Sequence, residues 1–259
     1  MKTNRDQVQQ AMQAVGVEVQ PVPPLPQALR LSSHAGPIQQ LPGFQEGWWM
    51  VQDSSAQLVS LYLDPQPGEV VIDACAAPGG KTLHLAELMQ DRGTIWACDR
   101  YPARLKKLQA NLDRLGFTSI QICSGDSRTL HQFTGQGDRV LLDAPCSGLG
   151  TLHRHADARW RQTPDTVKEL VTLQTELLEQ TSRWVKPGGI LVYATCTLNP
   201  IENEAIVETF LAHNPDWHLE PPSRDSLLAQ FSTPQGWLKT LPHHHQMDGF
   251  FMARLQRHQ

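Results

Sequence analysis

Two cysteines each follow an apolar run that predicts a buried strand. Cys146 comes shortly after residues 139–142, and Cys196 comes shortly after residues 190–194. A lone cysteine is more often a small core residue than a nucleophile. Two thiols at the ends of consecutive predicted strands are a stronger indication of nucleophilic chemistry, which requires surroundings that favour the thiolate.

A turn of small residues, 73–82, lies between the apolar segment 69–72 and a segment with a helical apolar face. Gly79 and Gly80 would let the backbone approach a ligand, and the first amides of the helix point into the same space. A phosphate-binding loop needs a glycine where Cys75 stands, and the dinucleotide pattern G-x-G-x-x-G is absent. The turn is therefore predicted to hold a cofactor of another kind, and a turn without a ligand is the alternative.

Acidic residues follow the other predicted strands. Asp99 ends the second strand, where it could accept hydrogen bonds from a ribose or cap the next helix. Asp126 ends the third strand and could accept from an adenine amine or be an ordinary loop aspartate. Asp143 ends the fourth. Ligands of open parallel sheets bind at the carboxyl ends of the strands, so these side chains are predicted to share one edge.

From residue 69 onward, strand and helix patterns alternate, which predicts an α/β fold with a mostly parallel sheet. The predicted strands are 69–72, 94–98, 119–123, 139–142, 190–194 and 249–255. Pro102 opens a helix that Gly116 ends, Thr163 begins a long helix, residues 187–189 form a turn, and a further helix spans 200–213. An irregular stretch precedes the last strand.

The first 45 residues are predicted to be an extension, or a remnant of a preceding domain, that docks on a main domain at 46–259. A polar helix at 4–15 is followed by Pro21, Pro23, Pro24 and Pro26, which are expected to prevent regular structure. Residues 47–51 are predicted to form a strand, and Asp53 to cap a helix that runs to Leu63.

Composition limits the possible functions. The chain has 259 residues, 40% hydrophobic and 19% charged, with 22 Lys and Arg against 26 Asp and Glu. The net charge of -4 gives no sign of nucleic-acid binding by the whole surface, so such a site must be local. The best local patch follows Cys146 and comprises Arg154, Arg159, Trp160 and Arg161. Arginines can hold phosphates while a tryptophan stacks on a base; the alternative is a solvated loop with Trp160 as a core plug.

The sequence has no run of about 18 apolar residues and no apolar signal core, which predicts a soluble, cytoplasmic protein without membrane contact. Its five cysteines form no CxxC pair, so neither a disulfide framework nor a zinc knuckle is expected. Three consecutive histidines, 243–245, rarely converge on one ion, and no metal is predicted.

Three motifs together resemble one family. Residues 73–82, 143–148 and 194–204, in this order and spacing, resemble the Sun/Fmu family of S-adenosylmethionine-dependent RNA cytosine carbon-5 methyltransferases. The similarity extends from residues 41–44 through 51–53 to 248–251. It is greatest to the branch that methylates small-subunit ribosomal RNA.

The resemblance implies a Rossmann-like methyltransferase fold with helices on both faces of the sheet. It implies S-adenosylmethionine contacts from the following residues: Cys75, Ala76, Ala77, Pro78, Gly79, Gly80, Lys81, Asp99, Asp126 and Asp143. It makes Cys196 the nucleophile and gives Cys146 a role in product release. A carboxylate would raise the pKa of a nearby thiol, so Asp143 is expected to hydrogen-bond the cytosine instead. Lys81 has the charge to favour a neighbouring anion, or is an exposed lysine of the first helical turn.

The chain departs from the family pattern at its N-terminus. Full-length relatives in this branch carry an all-helical RNA-binding domain and a further small domain before the catalytic core, whereas this sequence begins just upstream of that core. RNA is the expected substrate, with a separate RNA-binding partner as one expectation. The alternatives are a tRNA or DNA cytosine carbon-5 methyltransferase, and a cofactor-binding scaffold without turnover.

Overall fold

An eight-stranded sheet forms the centre of the molecule, and a two-stranded sheet lies in the N-terminal segment. The computed structural model describes residues 2–32 and 34–259. The strands are β1 (Val19–Pro21), β2 (Leu29–Leu31), β3 (Val70–Asp73), β4 (Thr94–Asp99), β5 (Ile120–Ser124), β6 (Gly137–Asp143), β7 (Val185–Thr195), β8 (Trp217–Leu219), β9 (Leu238–Thr240) and β10 (Phe250–Arg257). The helices are α1 (Arg5–Ala14), α2 (Ser54–Leu63), α3 (Gly80–Leu88), α4 (Pro102–Leu115), α5 (Ala158–Arg161), α6 (Pro164–Ser182), α7 (Glu204–His213) and α8 (Pro242–His245).

The main sheet has the strand order β5-β4-β3-β6-β7-β10-β8, with β9 paired to β10. Strands β3 to β7 pair in parallel, and β10 is antiparallel to its neighbours. The chain leaves β3 for β4 and β5 on one side and then crosses to β6 on the other. The order therefore reverses between β3 and β6, which is where open α/β sheets bind ligands.

Successive strand residues contribute to two separate cores, one on each face of the sheet. Val71 packs with α2, α3 and α4, whereas the next residue, Ile72, packs with α6 and α7. The same alternation separates Leu141 from Leu142. The predicted mostly parallel sheet with helices on both faces is confirmed, because side chains alternate along each strand.

Local signals in the sequence account for most helix ends. The carboxylate of Asp53 accepts the Ser55 amide at the start of α2, at 2.9 Å. Pro102 is the first residue of α4, and Gly116 ends that helix at a φ of 78°. Thr163 caps α6 through the Thr166 amide. These four predicted boundaries are confirmed.

The N-terminal segment docks on the main sheet and its helices. Val22, Leu25 and Ala28 belong to the large core that contains α2 to α4, while a small separate core holds Val8 and Met12. Arg114 of α4 also donates to the carbonyl oxygens of residues 44 and 49. The segment is therefore held to the main domain by both apolar and polar contacts.

Several sequence predictions differ from the structure. Residues 47–51 form a loop rather than a strand, although the segment is rich in apolar and aromatic side chains. The prolines were expected to prevent regular structure, yet Pro21 pairs with Leu29 at the edge of the small sheet. The turn at 187–189 lies within β7 as an irregularity in its pairing with β6. The irregular stretch before β10 contains β8, β9 and α8.

The helix predicted for 200–213 is divided. A 3-10 turn covers Pro200–Glu202, and α7 begins at Glu204 after Asn203, whose backbone has a φ of -121° and a ψ of -97°. In the described ranges of the chain, none of the helices is long and apolar enough to cross a membrane.

Candidate active site

The two sequence-predicted thiols lie together beyond the ends of β6 and β7. The Sγ atoms of Cys146 and Cys196 are 3.4 Å apart. Backbone hydrogen bonds hold their loops in register: the Ala144 amide donates to the Ala194 carbonyl at 2.9 Å, and the Gly150 amide donates to the Cys196 carbonyl at 2.9 Å. A Cβ on Gly150 would lie 2.8 Å from that carbonyl oxygen, so the close approach requires glycine.

An ion pair lies next to the thiols. Lys81 Nζ donates to Asp143 Oδ2 at 2.6 Å, which joins the first turn of α3 to the end of β6. The same ammonium lies 5.1 Å from the ring centroid of Phe250, at the start of β10. Burial opposes the charge of Lys81, but the Asp143 carboxylate outweighs it and the pKa of Lys81 is raised. Lys81 is thus a fixed cation rather than an exposed lysine.

The two thiols differ in their acidity. A hydrogen bond from Cys146 lowers the pKa of Cys196, and the charge of Lys81 acts in the same direction, against burial and Asp143. The same hydrogen bond, together with burial, raises the pKa of Cys146 well above its usual value. Cys196 is therefore the more acidic of the two thiols and Cys146 the less acidic.

A buried carboxylate connects the two thiol loops. Glu202 is fully buried and accepts from the Ser147 amide at 2.8 Å and from the Ser147 hydroxyl at 2.6 Å. That hydroxyl lies 2.9 Å from the hydroxyl of Thr197. Gln174 of α6 also donates to Glu202, at 3.1 Å. One side chain thus positions the residues that follow both cysteines.

The glycine turn follows β3 at the switch point. The Thr82 hydroxyl donates to Asp73 at 2.7 Å, and burial raises the pKa of Asp73 to about 7. Gly79 has a φ of 111°, and a Cβ there would lie 2.5 Å from a side-chain atom of Leu108. Glycine at position 79 is therefore required by both backbone conformation and packing against α4.

The two predicted cofactor aspartates have different surroundings. Asp99 is buried and accepts from the Tyr101 amide at 2.8 Å and from the Ala77 amide at 3.2 Å, so it supports the glycine turn. Asp126 is partly exposed and pairs with Arg128 at 2.7 Å, and that hydrogen bond lowers the pKa of Asp126. Both lie at the same sheet edge as Asp143, as the strand ends predict.

The predicted RNA patch is divided. Arg154 pairs with the buried Asp248 and is therefore held close to the start of β10. Arg161 pairs with Asp157 at 2.8 Å on α5. The Trp160 side chain is 83% exposed, which excludes a core plug. Arg159 is exposed beside it, and Arg154 and Arg161 are also exposed although each is held in an ion pair.

Sequence reasoning missed three contributors to this region. Phe250 was assigned only to a strand, Glu202 only to a motif, and Arg104 only to a helix. Arg104 donates to the Ala77 carbonyl at 2.6 Å and lies 3.5 Å from Asp99. No local pattern reveals such contacts, because each joins distant segments. In the described residues, no group of three or more His, Cys, Asp or Glu could hold a metal ion.

Comparison with known proteins places the chain in a family. The model of the 16S rRNA methyltransferase RsmB/F family matches residues 60–256. The chain belongs to this family. The resemblance noted from the sequence motifs is confirmed, and the matched range contains both thiols, the glycine turn and the Lys81–Asp143 pair.

Individual relatives cover nearly all of the chain. A probable ribosomal RNA small subunit methyltransferase B from Synechocystis is 52% identical over 99% of the chain, which spans 58% of that relative. A methyltransferase homolog from Pyrococcus horikoshii is 33% identical with a TM-score of 0.85, covering 99% of this chain and 83% of the other. NSun6 from Pyrococcus horikoshii, solved with SFG, is 30% identical with a TM-score of 0.77 over 90% of this chain and 60% of that one. The fold is thus the Rossmann-like fold of these methyltransferases.

Proposed function

We propose that this chain is an S-adenosylmethionine-dependent methyltransferase that forms 5-methylcytidine in small-subunit ribosomal RNA. The observation that supports this most is the pair of thiols 3.4 Å apart beside the Lys81–Asp143 ion pair. Membership of the family and the name of the Synechocystis relative support the RNA substrate. The chain spans little more than half of that relative, so the proposal concerns what this chain itself can do.

The glycine turn fits the proposed cofactor. Gly79 gives no side-chain cap to α3, so the first amides of that helix are available to a carboxylate. One oxygen of the buried Asp73 lacks a hydrogen-bond partner within the described residues, which suits the ammonium group of the cofactor. Residues 75–81 would line the cofactor, while Asp99 and Asp126 would accept from its ribose hydroxyls and adenine amine. When bound, S-adenosylmethionine supplies the methyl group.

Cys196 begins the reaction in this proposal. Carbon 5 of cytosine is a poor nucleophile until a thiolate adds to carbon 6, which moves electron density onto carbon 5. The hydrogen bond from Cys146 lowers the pKa of Cys196, which favours the thiolate. Asp143 lies close enough to share the site and would hydrogen-bond the ring nitrogen and the exocyclic amine, while Lys81 fixes its orientation.

Cys146 acts at the end of the reaction. After carbon 5 has gained the methyl group, its proton must leave so that the bond between carbon 6 and Cys196 can break and the double bond can re-form. Cys146 lies in contact with Cys196 and, as the thiol that keeps its proton, would donate a hydrogen bond to the departing Cys196 thiolate while solvent water accepts the proton from carbon 5. Because the pKa of Cys146 is raised, Cys146 keeps its proton while Cys196 attacks carbon 6.

RNA contact in this proposal is local and weak for the chain alone. Trp160 would stack on a base and the exposed Arg159 and Arg161 would bind phosphates, whereas Arg154 is paired with Asp248 and positions the loop. A separate RNA-binding partner would add the affinity that these few contacts cannot supply. Binding by the chain alone should therefore fall steeply as salt is raised.

Methyl transfer from labelled S-adenosylmethionine tests the function directly. The chain is incubated with deproteinised 16S ribosomal RNA, with intact small subunits, with tRNA and with DNA, and each product is digested to nucleosides. Labelled 5-methylcytidine from ribosomal RNA, absent with Cys196→Ala, is the expected result, and sequencing then maps its position.

The other outcomes separate the rivals. Label found only in tRNA, or only in deoxycytidine from DNA, would show that the substrate is that polynucleotide and not ribosomal RNA. S-adenosylmethionine binding by calorimetry without label in any substrate would indicate a cofactor-binding scaffold and overturn the proposal.

A further inference from the structure

Asp248 is a buried carboxylate just before β10, and the rest of the main domain fixes its backbone. Its side chain is 1% exposed. The Asp248 amide donates to the carboxylate of Asp53, the cap of α2, at 3.2 Å. The Asp248 carbonyl accepts from the hydroxyl of Thr240, the last residue of β9, at 2.7 Å. Neither partner belongs to the thiol loops, so Asp248 offers those loops a fixed point of attachment.

The Asp248 carboxylate holds two side chains of the loop after Cys146. Arg154 approaches it with two nitrogens: Nε donates to Oδ1 at 3.1 Å, and Nη2 pairs with Oδ2. His153 Nε2 lies 3.2 Å from Oδ1. A guanidinium that meets both oxygens of a carboxylate is fixed in direction as well as in distance. The loop is thus attached to a rigid part of the main domain.

Backbone contacts of the next residue continue as far as Cys196. The Gly249 amide donates to the Gly150 carbonyl at 2.8 Å, and the Gly150 amide donates to the Cys196 carbonyl at 2.9 Å. A Cβ on Gly249 would lie 2.9 Å from the Cα of Gly150, so the two segments pass each other without side chains between them. The loop after Cys146 is therefore hydrogen-bonded both to the segment that contains Asp248 and to Cys196.

The charge of Asp248 does not favour the thiolate. The hydrogen bond from Cys146 has the largest effect on the pKa of Cys196 and lowers it, and Lys81 acts in the same direction. Burial, Asp143 and Asp248 raise the pKa of Cys196. The electrostatic effect of Asp248 is therefore opposed to the chemistry, whereas its contacts hold the loop that carries the helpful thiol.

We propose that Asp248 is a positioning residue, which holds the loop after Cys146 so that the Cys146 thiol stays in contact with Cys196. Asp248 is assigned no contact with RNA or cofactor, and its effect reaches the reaction through Arg154 and the loop. The proposal rests on the proposed function, in which Cys146 donates to the departing Cys196 thiolate. Loss of Asp248 should therefore resemble a partial loss of Cys146.

Asp248→Asn tests this role through the pH at which Cys196 becomes reactive. The substitution removes a negative charge and releases the Arg154 cation, which interacts with Cys196, so the charge change alone should lower the pKa of Cys196. Loss of the loop position weakens the hydrogen bond from Cys146 and should raise that pKa. We expect the midpoint of Cys196 alkylation by iodoacetamide, followed by mass spectrometry, to move to a higher pH, by less than in Cys146→Ala. A midpoint that falls or stays in place would overturn the proposal.

Two further variants complete the alkylation test. Arg154→Lys keeps the positive charge beside the buried carboxylate, but an ammonium lacks the planar fork that meets both oxygens. Its midpoint should lie between those of the wild type and Asp248→Asn. If urea unfolding shows that Asp248→Asn does not fold, Arg154→Lys decides the test, and a midpoint at or below that of the wild type overturns the proposal. Asp157→Asn is the matched control, because it breaks the exposed Arg161–Asp157 pair of the same segment and should leave the midpoint unchanged.

Turnover gives a second readout. With RNA and S-adenosylmethionine, Asp248→Asn should accumulate a covalent RNA complex on a denaturing gel, with a reduced kcat and no loss of RNA affinity. Alkylation needs neither RNA nor cofactor, so the two failures are distinguishable. If the wild type methylates no RNA, the proposed function fails while the alkylation midpoint still tests the loop position. If the wild type methylates RNA and Asp248→Asn turns over equally fast without a covalent complex, only the role of Asp248 fails.

Discussion

Cys146 and Cys196 lie 50 residues apart in the sequence, yet their Sγ atoms are 3.4 Å apart. The contact exists because β6 and β7 are parallel neighbours that end at the same edge of the sheet. The hydrogen bond between them lowers the pKa of Cys196 and raises that of Cys146, so the two thiols differ in acidity. Two identical side chains thereby differ in acidity, as the two proposed roles require.

This relationship predicts how the reactivity of Cys196 depends on pH. Cys146→Ala removes the hydrogen bond that favours the Cys196 thiolate, so the pKa of Cys196 should rise. The rate of alkylation of Cys196 by iodoacetamide, followed against pH by mass spectrometry, should then reach its midpoint at a higher pH than in the wild type. The double variant Cys146→Ala/Cys196→Ala gives the background from other thiols. A midpoint that stays in place or moves lower would contradict the assignment.

Asp73 predicts a pH dependence of stability. Burial raises its pKa from 3.8 to about 7, so between these values the folded chain binds a proton that the unfolded chain releases. The contribution of Asp73 to the free energy of unfolding is therefore fully present below about pH 4 and is lost as the pH rises through about 7. His84 acts in the opposite sense, because burial lowers its pKa to about 4. Comparison of one variant with the wild type isolates the Asp73 effect.

Asp73→Asn removes that titration and keeps nearly the same shape. The free energy of unfolding of the wild type, minus that of Asp73→Asn, should fall by about 2–4 kcal/mol between pH 4 and pH 7.5. Urea unfolding at several pH values measures this difference. A difference that is constant with pH would show that Asp73 titrates at its ordinary value.

The two cofactor aspartates should respond differently to substitution. Asp99→Ala removes the acceptor for the Ala77 and Tyr101 amides, whereas Asp126→Ala releases Arg128 from its partner. Each should weaken S-adenosylmethionine binding by about 1–3 kcal/mol, and only Asp99→Ala should also lower the stability of the fold. Calorimetric titration with Asp113→Ala as an exposed control on α4 measures both variants. Unchanged affinity in a folded variant would remove that aspartate from the site.

The sequence was sufficient to predict the sheet edge on which the site lies. Asp99, Asp126 and Asp143 each follow an apolar strand, and the carboxyl ends of parallel strands must share an edge. The glycine turn and the caps of α2 and α6 are also local signals. Such features depend on residues a few positions apart, which a single sequence displays.

Contacts between distant segments could not be predicted in this way. Phe250 approaches Lys81 because β10 pairs with β7. Arg154 is held by an ion pair with Asp248, which lies 94 residues away in the sequence. The aromatic run at 47–51 predicted a strand, but Trp49 instead packs edge-on against Phe44 and donates to the Pro42 carbonyl. Tertiary packing overrode the local preference there.

Glu202 should prove to be a positioning residue. Glu202→Ala would leave the Ser147 amide buried without an acceptor, at a cost of about 1–3 kcal/mol, whereas Gln174 would still donate to the Pro145 carbonyl. Glu202→Gln keeps one carbonyl acceptor and should retain most of the stability. Both variants should reduce methyl transfer more than RNA binding, with Glu202→Gln closer to the wild type. Urea unfolding, RNA affinity and kcat are measured together, and a loss of RNA affinity alone would contradict this role.

The roles of the two thiols predict what each variant accumulates. Cys196→Ala cannot form the bond to carbon 6, so it should neither methylate RNA nor form a covalent complex, even with 5-fluorocytidine at the target. Cys146→Ala should still attack and still transfer the methyl group, but it should then stall with RNA attached. Variants that act at different steps must differ in the species that builds up. A denaturing gel after incubation with RNA and S-adenosylmethionine shows this, because a covalent complex survives denaturation and migrates slowly. An adduct with Cys196→Ala and none with Cys146→Ala would reverse the two roles, in spite of the acidity difference that their hydrogen bond creates.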